Sequence, residues 1–135
     1  MKKETINPNT VSKPVAPYST AVKVKGAGTL VFLAGVTSTD INGNIVYPGD
    51  IVGQTKQTVN NLKNILESIG AVPENVVMTT TYVVASSMKE FLESGSAIEC
   101  LKPFGNPADT LVGVACLAGT DKGQLIEISA IVATD

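Results

Sequence analysis

The clearest periodicity in the chain follows Asp50, where Val52, Thr55, Val59, Leu62, Leu66 and Ile69 recur at alternating steps of three and four. That spacing stacks side chains on one face of an α-helix. Asp50 is a good N-cap and Gly70 a good residue just past the end, so a helix is predicted between them. Gln54, Lys56, Asn60, Lys63, Asn64 and Glu67 fall on its predicted wet side.

Elsewhere the pattern is shorter. Residues 1–13 are polar with Asn-Pro turn signals, and Pro14 to Ser19 read as an extended entry pinned by two prolines. Ala21 to Lys25 and Thr29 to Val36 are predicted to be strands joined as a hairpin at Gly26-Ala27-Gly28, and the loop from Thr37 to Gly49 holds an Asn42-Gly43 turn. Val76 to Val84, rich in Val and Thr, is a strand. Ser87-Met88-Lys89-Glu90 reads as a capping box opening a second helix, with Phe91, Leu92, Ile98 and Leu101 on its buried side and Gly95 in its middle. Asn106 to Leu117 and Lys122 to Val132 read as a final strand pair that carries Asp109 and Glu127.

The predicted order is therefore strand, strand, helix, strand, helix, strand, strand, in one domain spanning residues 1–135. An α+β fold with a mixed sheet and two helices on one face fits it. The final strands are apolar at both parities, with Leu111, Ala115 and Leu117 against Val112, Val114 and Cys116. A sheet wet on one face should alternate instead, so the second face needs a cover. In a chain this short another copy of itself is the expected one, which makes the protein a homo-oligomer.

Composition narrows the chemistry. All ten cationic side chains are lysines, and the chain has no arginine, histidine or tryptophan. Histidine-based triads are excluded, a zinc site would rest on carboxylates and two distant cysteines, and no guanidinium is present to clamp a carboxylate or phosphate. A net charge of −2 and six aromatic residues argue against a nucleic-acid surface. No apolar run approaches the ~20 residues of a membrane helix. Cys100 and Cys116 form no C-x-x-C motif, are expected in core packing, and suit a reducing compartment. With no secretory pattern at the start of the sequence, a cytoplasmic location is expected.

The segments Ala16-Pro17-Tyr18-Ser19, Leu30 to Gly35, Asp50 to Ala71, Thr79 to Val83, Pro107-Ala108-x-Thr110 and Lys122 to Ile128 together resemble the Rid family, also called YjgF or L-PSP, by order and spacing over nearly the whole chain. The resemblance implies a chorismate-mutase-like fold of the bacillus type and a homotrimer that forms a trimeric barrel with small-molecule clefts between subunits. It also implies hydrolysis of reactive enamines and imines, of the 2-iminobutanoate and 2-iminopropanoate type, to keto acids and ammonia, with no metal or bound cofactor.

Carried over residue by residue, the family glutamate that holds the attacking water matches Glu127, and the ring that walls the cleft matches Tyr18. The family arginine that grips the substrate carboxylate falls on Asp109, a reversal of charge. Ala34, beside Gly35, stands where a serine is common, and Leu111 where a cysteine is common. The catalytic candidates are thus Glu127 and Asp109, and the substrate-binding candidates are Tyr18, Ala34, Gly35 and Leu111.

Plainer readings stand beside these. Glu127 could be a strand carboxylate held by backbone N–H groups at a subunit boundary, Asp109 a turn or cap residue after Pro107, and Tyr18 a wall rather than a catalyst. Three functions follow: an imine or enamine hydrolase of altered specificity in which Lys102 or Lys122 replaces the missing cation, a non-catalytic trimer binding a small metabolite, or an endoribonuclease of the L-PSP type. If Asp109 and Glu127 lie close together, one of them should act as a general acid.

Overall fold

The computed structural model describes residues 1–135, and its strands form two sheets. A ribbon pairs β1 (Lys2–Ile6) with β2 (Ala21–Lys25) antiparallel, and β3 (Thr29–Val36), β4 (Val76–Val84), β5 (Ala108–Val114) and β6 (Ile126–Thr134) form a sheet in the order β3-β6-β4-β5. β6 runs antiparallel to both neighbours, whereas β4 and β5 are parallel. A parallel pair needs a crossover, supplied by residues 85–107 with the short helices α2 (Met88–Glu93) and α3 (Ser96–Glu99).

The long helix α1 (Ile51–Ser68) starts and stops where the sequence predicts. Asp50 Oδ1 accepts the Gly53 N–H at 3.0 Å, and Gly70 turns the chain at φ 71°, with the Ala71 N–H donating to Leu66 O at 2.9 Å. Leu62 and Leu66 are fully buried against the sheet face made by Val83, Ile126, Ile128 and Val132. Burying a side chain of that size stabilises the fold by about 1.5–3 kcal/mol. None of the helices is long and apolar enough to cross a membrane.

Five local expectations are corrected. The Gly26-Ala27-Gly28 turn does not close a hairpin: β2 pairs with β1, a stretch whose polarity reads as loop, and β3 pairs with β6. Gly28 instead lets the chain pass close to the C-terminal segment, where its N–H donates to Thr134 O at 3.0 Å and a methyl would lie 2.7 Å from the Asp135 carbonyl carbon. The final two strands are not partners either, because β4 lies between β5 and β6. The second helix is broken at Gly95, whose φ of 82° lies in the left-handed region, and the Ser87 side chain makes no cap hydrogen bond. The break turns Leu92 and Ile98 outward while Phe91 and Leu101 stay buried. Cys100 is buried as expected, but Cys116 lies past the end of β5 and is exposed.

The fifth correction is Gln54, predicted to be wet and in fact fully buried. Its Nε2 donates to Tyr47 O at 2.9 Å and Gly123 O at 2.6 Å, and its Oε1 accepts the Leu125 N–H at 2.8 Å. One amide thereby joins α1 to two loops, and the Leu125 N–H would otherwise be left unpaired.

Candidate active site: two half-sites on opposite sheet faces

Asp109 sits in β5 in register with Thr79 of β4. Thr79 and Thr81 point to the helix-covered face, and both donate their hydroxyls to the same oxygen, Asp109 Oδ1, at 2.7 and 3.1 Å. Oδ2 has no hydrogen-bond donor within the chain. The carboxylate borders a cavity of about 210 Å3 whose other walls include Ala16, Tyr18, Phe91, Leu92, Cys100, Leu101 and Leu111. Burial pushes the Asp109 carboxyl above the ordinary aspartate range, and the two threonine hydroxyls pull it back. The neighbouring Cys100 thiol is pushed up to about 12, first by burial and then by the Asp109 charge. At that value it is no nucleophile at neutral pH.

Tyr18 reaches this cavity because the residue after it is clamped. The Ser19 N–H donates to Pro107 O at 2.9 Å and its hydroxyl to Asn106 O at 2.7 Å, while Ser19 forms a parallel bridge with Ala108. Asn106 carries a positive φ of 56°, which turns the chain into β5. The ribbon that follows is pinned by Lys3, whose ammonium donates to the carbonyls of Glu74, Val76 and Gly105 at 2.7, 2.9 and 3.3 Å.

Glu127 lies elsewhere. It sits in β6 opposite Tyr82, one residue out of phase with the buried Ile126 and Ile128, and therefore on the uncovered sheet face. Between Leu33 and Val36 the register of β3 slips against β6, so Ala34 and Gly35 form a bulge there. The Glu127 side chain lies across Gly35, where a methyl would come within 2.6 Å of Cδ and 2.8 Å of Cγ. Ala34 and Gly35 also line an open depression of about 710 Å3 with Thr37, Asp40 and Asn61. Its rim is held to α1 by Asn61, whose Nδ2 donates to Thr37 O and Thr39 O at 2.8 and 2.9 Å.

The six predicted site residues thus fall into two sets. Tyr18, Asp109 and Leu111 share the cavity, and Gly35, with Ala34 beside it in the bulge, meets Glu127 on the opposite face. A general-acid pairing of Asp109 with Glu127 does not form within one chain, because the sheet separates them. Lys102 and Lys122 are both exposed, and neither lines the cavity. Thr79 and Thr81 were missed. Their signal is the i, i+2 repeat of hydroxyls in a strand, but it acquires meaning only once the register against Asp109 is known.

Comparison with known proteins agrees with this architecture. The family model described as Endoribonuclease L-PSP matches residues 9–134. A RutC family protein of Pyrococcus abyssi is 35% identical over 131 residues, 97% of each chain. A protein of Dermatophagoides farinae named 2-iminobutanoate/2-iminopropanoate deaminase is 32% identical over 128 residues, 89% of this chain and 88% of that one. The crystal structure of a Rid-family protein of unknown function from Yersinia pestis has a TM-score of 0.81 at 33% identity, covering 98% of this chain and 99% of that one. RidA from an Antarctic Psychrobacter species has a TM-score of 0.63 at 26% identity, covering 96% and 98%. With most of its length matched by the family model and by relatives above 30% identity, the chain belongs to the Rid family, the YjgF or L-PSP proteins.

Proposed function

We propose that this protein is an imine or enamine hydrolase of the Rid type whose specificity has moved away from anionic imino acids. The observation that carries the reading is the Asp109 carboxylate on the wall of the Tyr18 cavity, with no basic side chain among the lining residues. The relative named as a deaminase supports the reaction class. The exposed side chains Leu30, Phe32 and Met78 leave an apolar stretch on the sheet face that carries Glu127. A second copy packed there would cover it and bring a neighbour's Tyr18 cavity to the Glu127 face, and Rid-family proteins are typically homotrimers.

In such an assembly Glu127 accepts a proton from water as the oxygen attacks the imine carbon, and the imine nitrogen gains a proton. The resulting carbinolamine then loses ammonia and leaves a carbonyl. Asp109 selects the substrate. Two like charges ~4 Å apart at an effective dielectric of ~20 repel by about 4 kcal/mol, which screening at this half-buried site reduces. Each 1.4 kcal/mol that survives is about tenfold in affinity.

The test is ammonia release from 2-iminopropanoate generated by an amino-acid oxidase. The wild type should stay near the uncatalysed rate, Asp109→Arg should gain at least tenfold, and adding Glu127→Gln should remove the gain. Strong wild-type activity abolished by Asp109→Arg would overturn the charge argument.

A further inference from the structure

We infer that the Asp109 cavity binds the protonated amino group of a small aliphatic amine, an inference that rests on the reading above that this cavity is the substrate-binding half of the site. Both hydroxyl bonds to the carboxylate land on Oδ1, which fixes the group and leaves Oδ2 without a donor. A carboxylate against apolar walls with no counter-charge is costly to keep ionised, so a cation entering the cavity gains more here than it would in water.

A metal ion is a poor match for that vacancy in charge. Divalent cations gather six or more oxygen ligands or three to four N/S/O side chains, and no group of three or more His, Cys, Asp or Glu side chains is gathered anywhere in the fold. An ammonium group needs only a few acceptors. Asp109 supplies one, and Tyr18, whose hydroxyl makes no hydrogen bond within the chain, is among the residues that line the same cavity. Tyr18 and Phe91 also line it, and aromatic rings attract a cation that meets their faces.

The remaining walls choose the rest of the ligand. Leu92, Leu101 and Leu111 suit an alkyl chain, and at about 210 Å3 the space is below the ~300–1,000 Å3 of sites that take drug-sized molecules. The carbon skeleton that fits is short and unbranched or lightly branched, and it carries no carboxylate. The corresponding hydrolase substrate is an imine of the same chemistry, whose protonated form presents a cation to Asp109.

The probe is n-butylammonium, compared by titration calorimetry with 1-butanol and butyrate on the full-length wild type and on Asp109→Asn. Butylammonium should bind the wild type at least tenfold more tightly than either companion, and Asp109→Asn should remove that advantage while leaving 1-butanol unchanged. Butylammonium binding no tighter than 1-butanol in the wild type, a comparison that needs no variant, overturns the inference, as does a preference that survives Asp109→Asn. Butylammonium bound as expected, with ammonia release absent from every variant, would count against the hydrolase reading alone. Rapid wild-type hydrolysis of 2-iminopropanoate would remove the reversed-charge reading, and butylammonium binding no tighter than butyrate would then remove the inference as well.

Discussion

The carboxyl end of Glu127 rests on Gly35 so closely that a single added methyl would stand 2.6 Å from its Cδ. That contact ties the β3 bulge to the orientation of the only carboxylate in β6, and it makes residue 35 a control on where Glu127 points. A bulge re-aims side chains locally, which is why bulges recur beside functional residues.

Gly35→Ala should therefore push the Glu127 carboxyl aside and destabilise the protein by about 0.5–1.5 kcal/mol, the cost of driving a flexible side chain off its preferred rotamer. In a Glu127→Ala background the same substitution should cost much less, with a coupling above about 0.5 kcal/mol in a double-mutant cycle. Urea denaturation of the four proteins measures it. Additive effects would mean that the two residues do not press on each other in solution.

Replacing Gln54 by Ala leaves the Leu125 N–H without its partner, while the Tyr47 and Gly123 carbonyls keep the Asp50 and Gly49 N–H groups. A buried group left unpaired costs about 1–3 kcal/mol, so a loss of that size is expected, with a fall in Tm of roughly 4–10 °C. Asn60→Ala, on the exposed side of the same helix, should change stability by no more than ~0.5 kcal/mol. Thermal unfolding of the two variants side by side decides the point.

The pH dependence follows from the direction of the Asp109 shift. Burial raises this carboxyl in the folded state, so the folded protein holds the proton more tightly than the unfolded chain does. Its contribution to stability is fully present below the ordinary aspartate value of about 3.9 and is lost as pH rises through the folded value. Asp109→Asn does not titrate and keeps the shape. Its stability relative to the wild type should rise from about pH 4 toward neutrality, and Thr81→Val, which strips a donor from the carboxylate, should steepen the wild-type loss. Denaturation curves at several pH values test this, and a difference constant with pH would contradict it.

The two thiols should separate cleanly under native conditions. Cys116 is exposed, whereas Cys100 is buried with its thiol pushed up to about 12. A maleimide or disulfide reagent at pH 7.5 should label one thiol per chain quickly and the second only after unfolding, with mass spectrometry placing the first label on Cys116. Fast labelling of Cys100 in the folded protein would mean that its cavity opens to reagents.

Local chemistry was legible in the sequence where it acts over a few residues. The 3-4 spacing from Val52 to Ile69, the Asp50 cap and the Gly70 stop depend only on neighbours along one helix, and the structure realises all three. The strands β2, β3, β4 and β6 were also visible, because Val- and Ile-rich runs suit a half-buried pleated surface. The family followed from the order and spacing of such segments. Partner choice was not legible. Nothing in Gly26-Ala27-Gly28 states that β2 pairs with Lys2–Ile6 or that β3 pairs with β6, since a turn signal marks a reversal and not a register. The burial of Gln54 had the same origin: its helical phase looked wet until a distant loop brought the Leu125 N–H, which has no other partner, against it. The site divided along the same line. Sequence named Tyr18, Ala34, Gly35, Asp109, Leu111 and Glu127, but only the pairing of β4 between β5 and β6 decided that they stand in two sets on opposite faces. Side chains alternate across a sheet, so one residue of register determines which face each carboxylate meets.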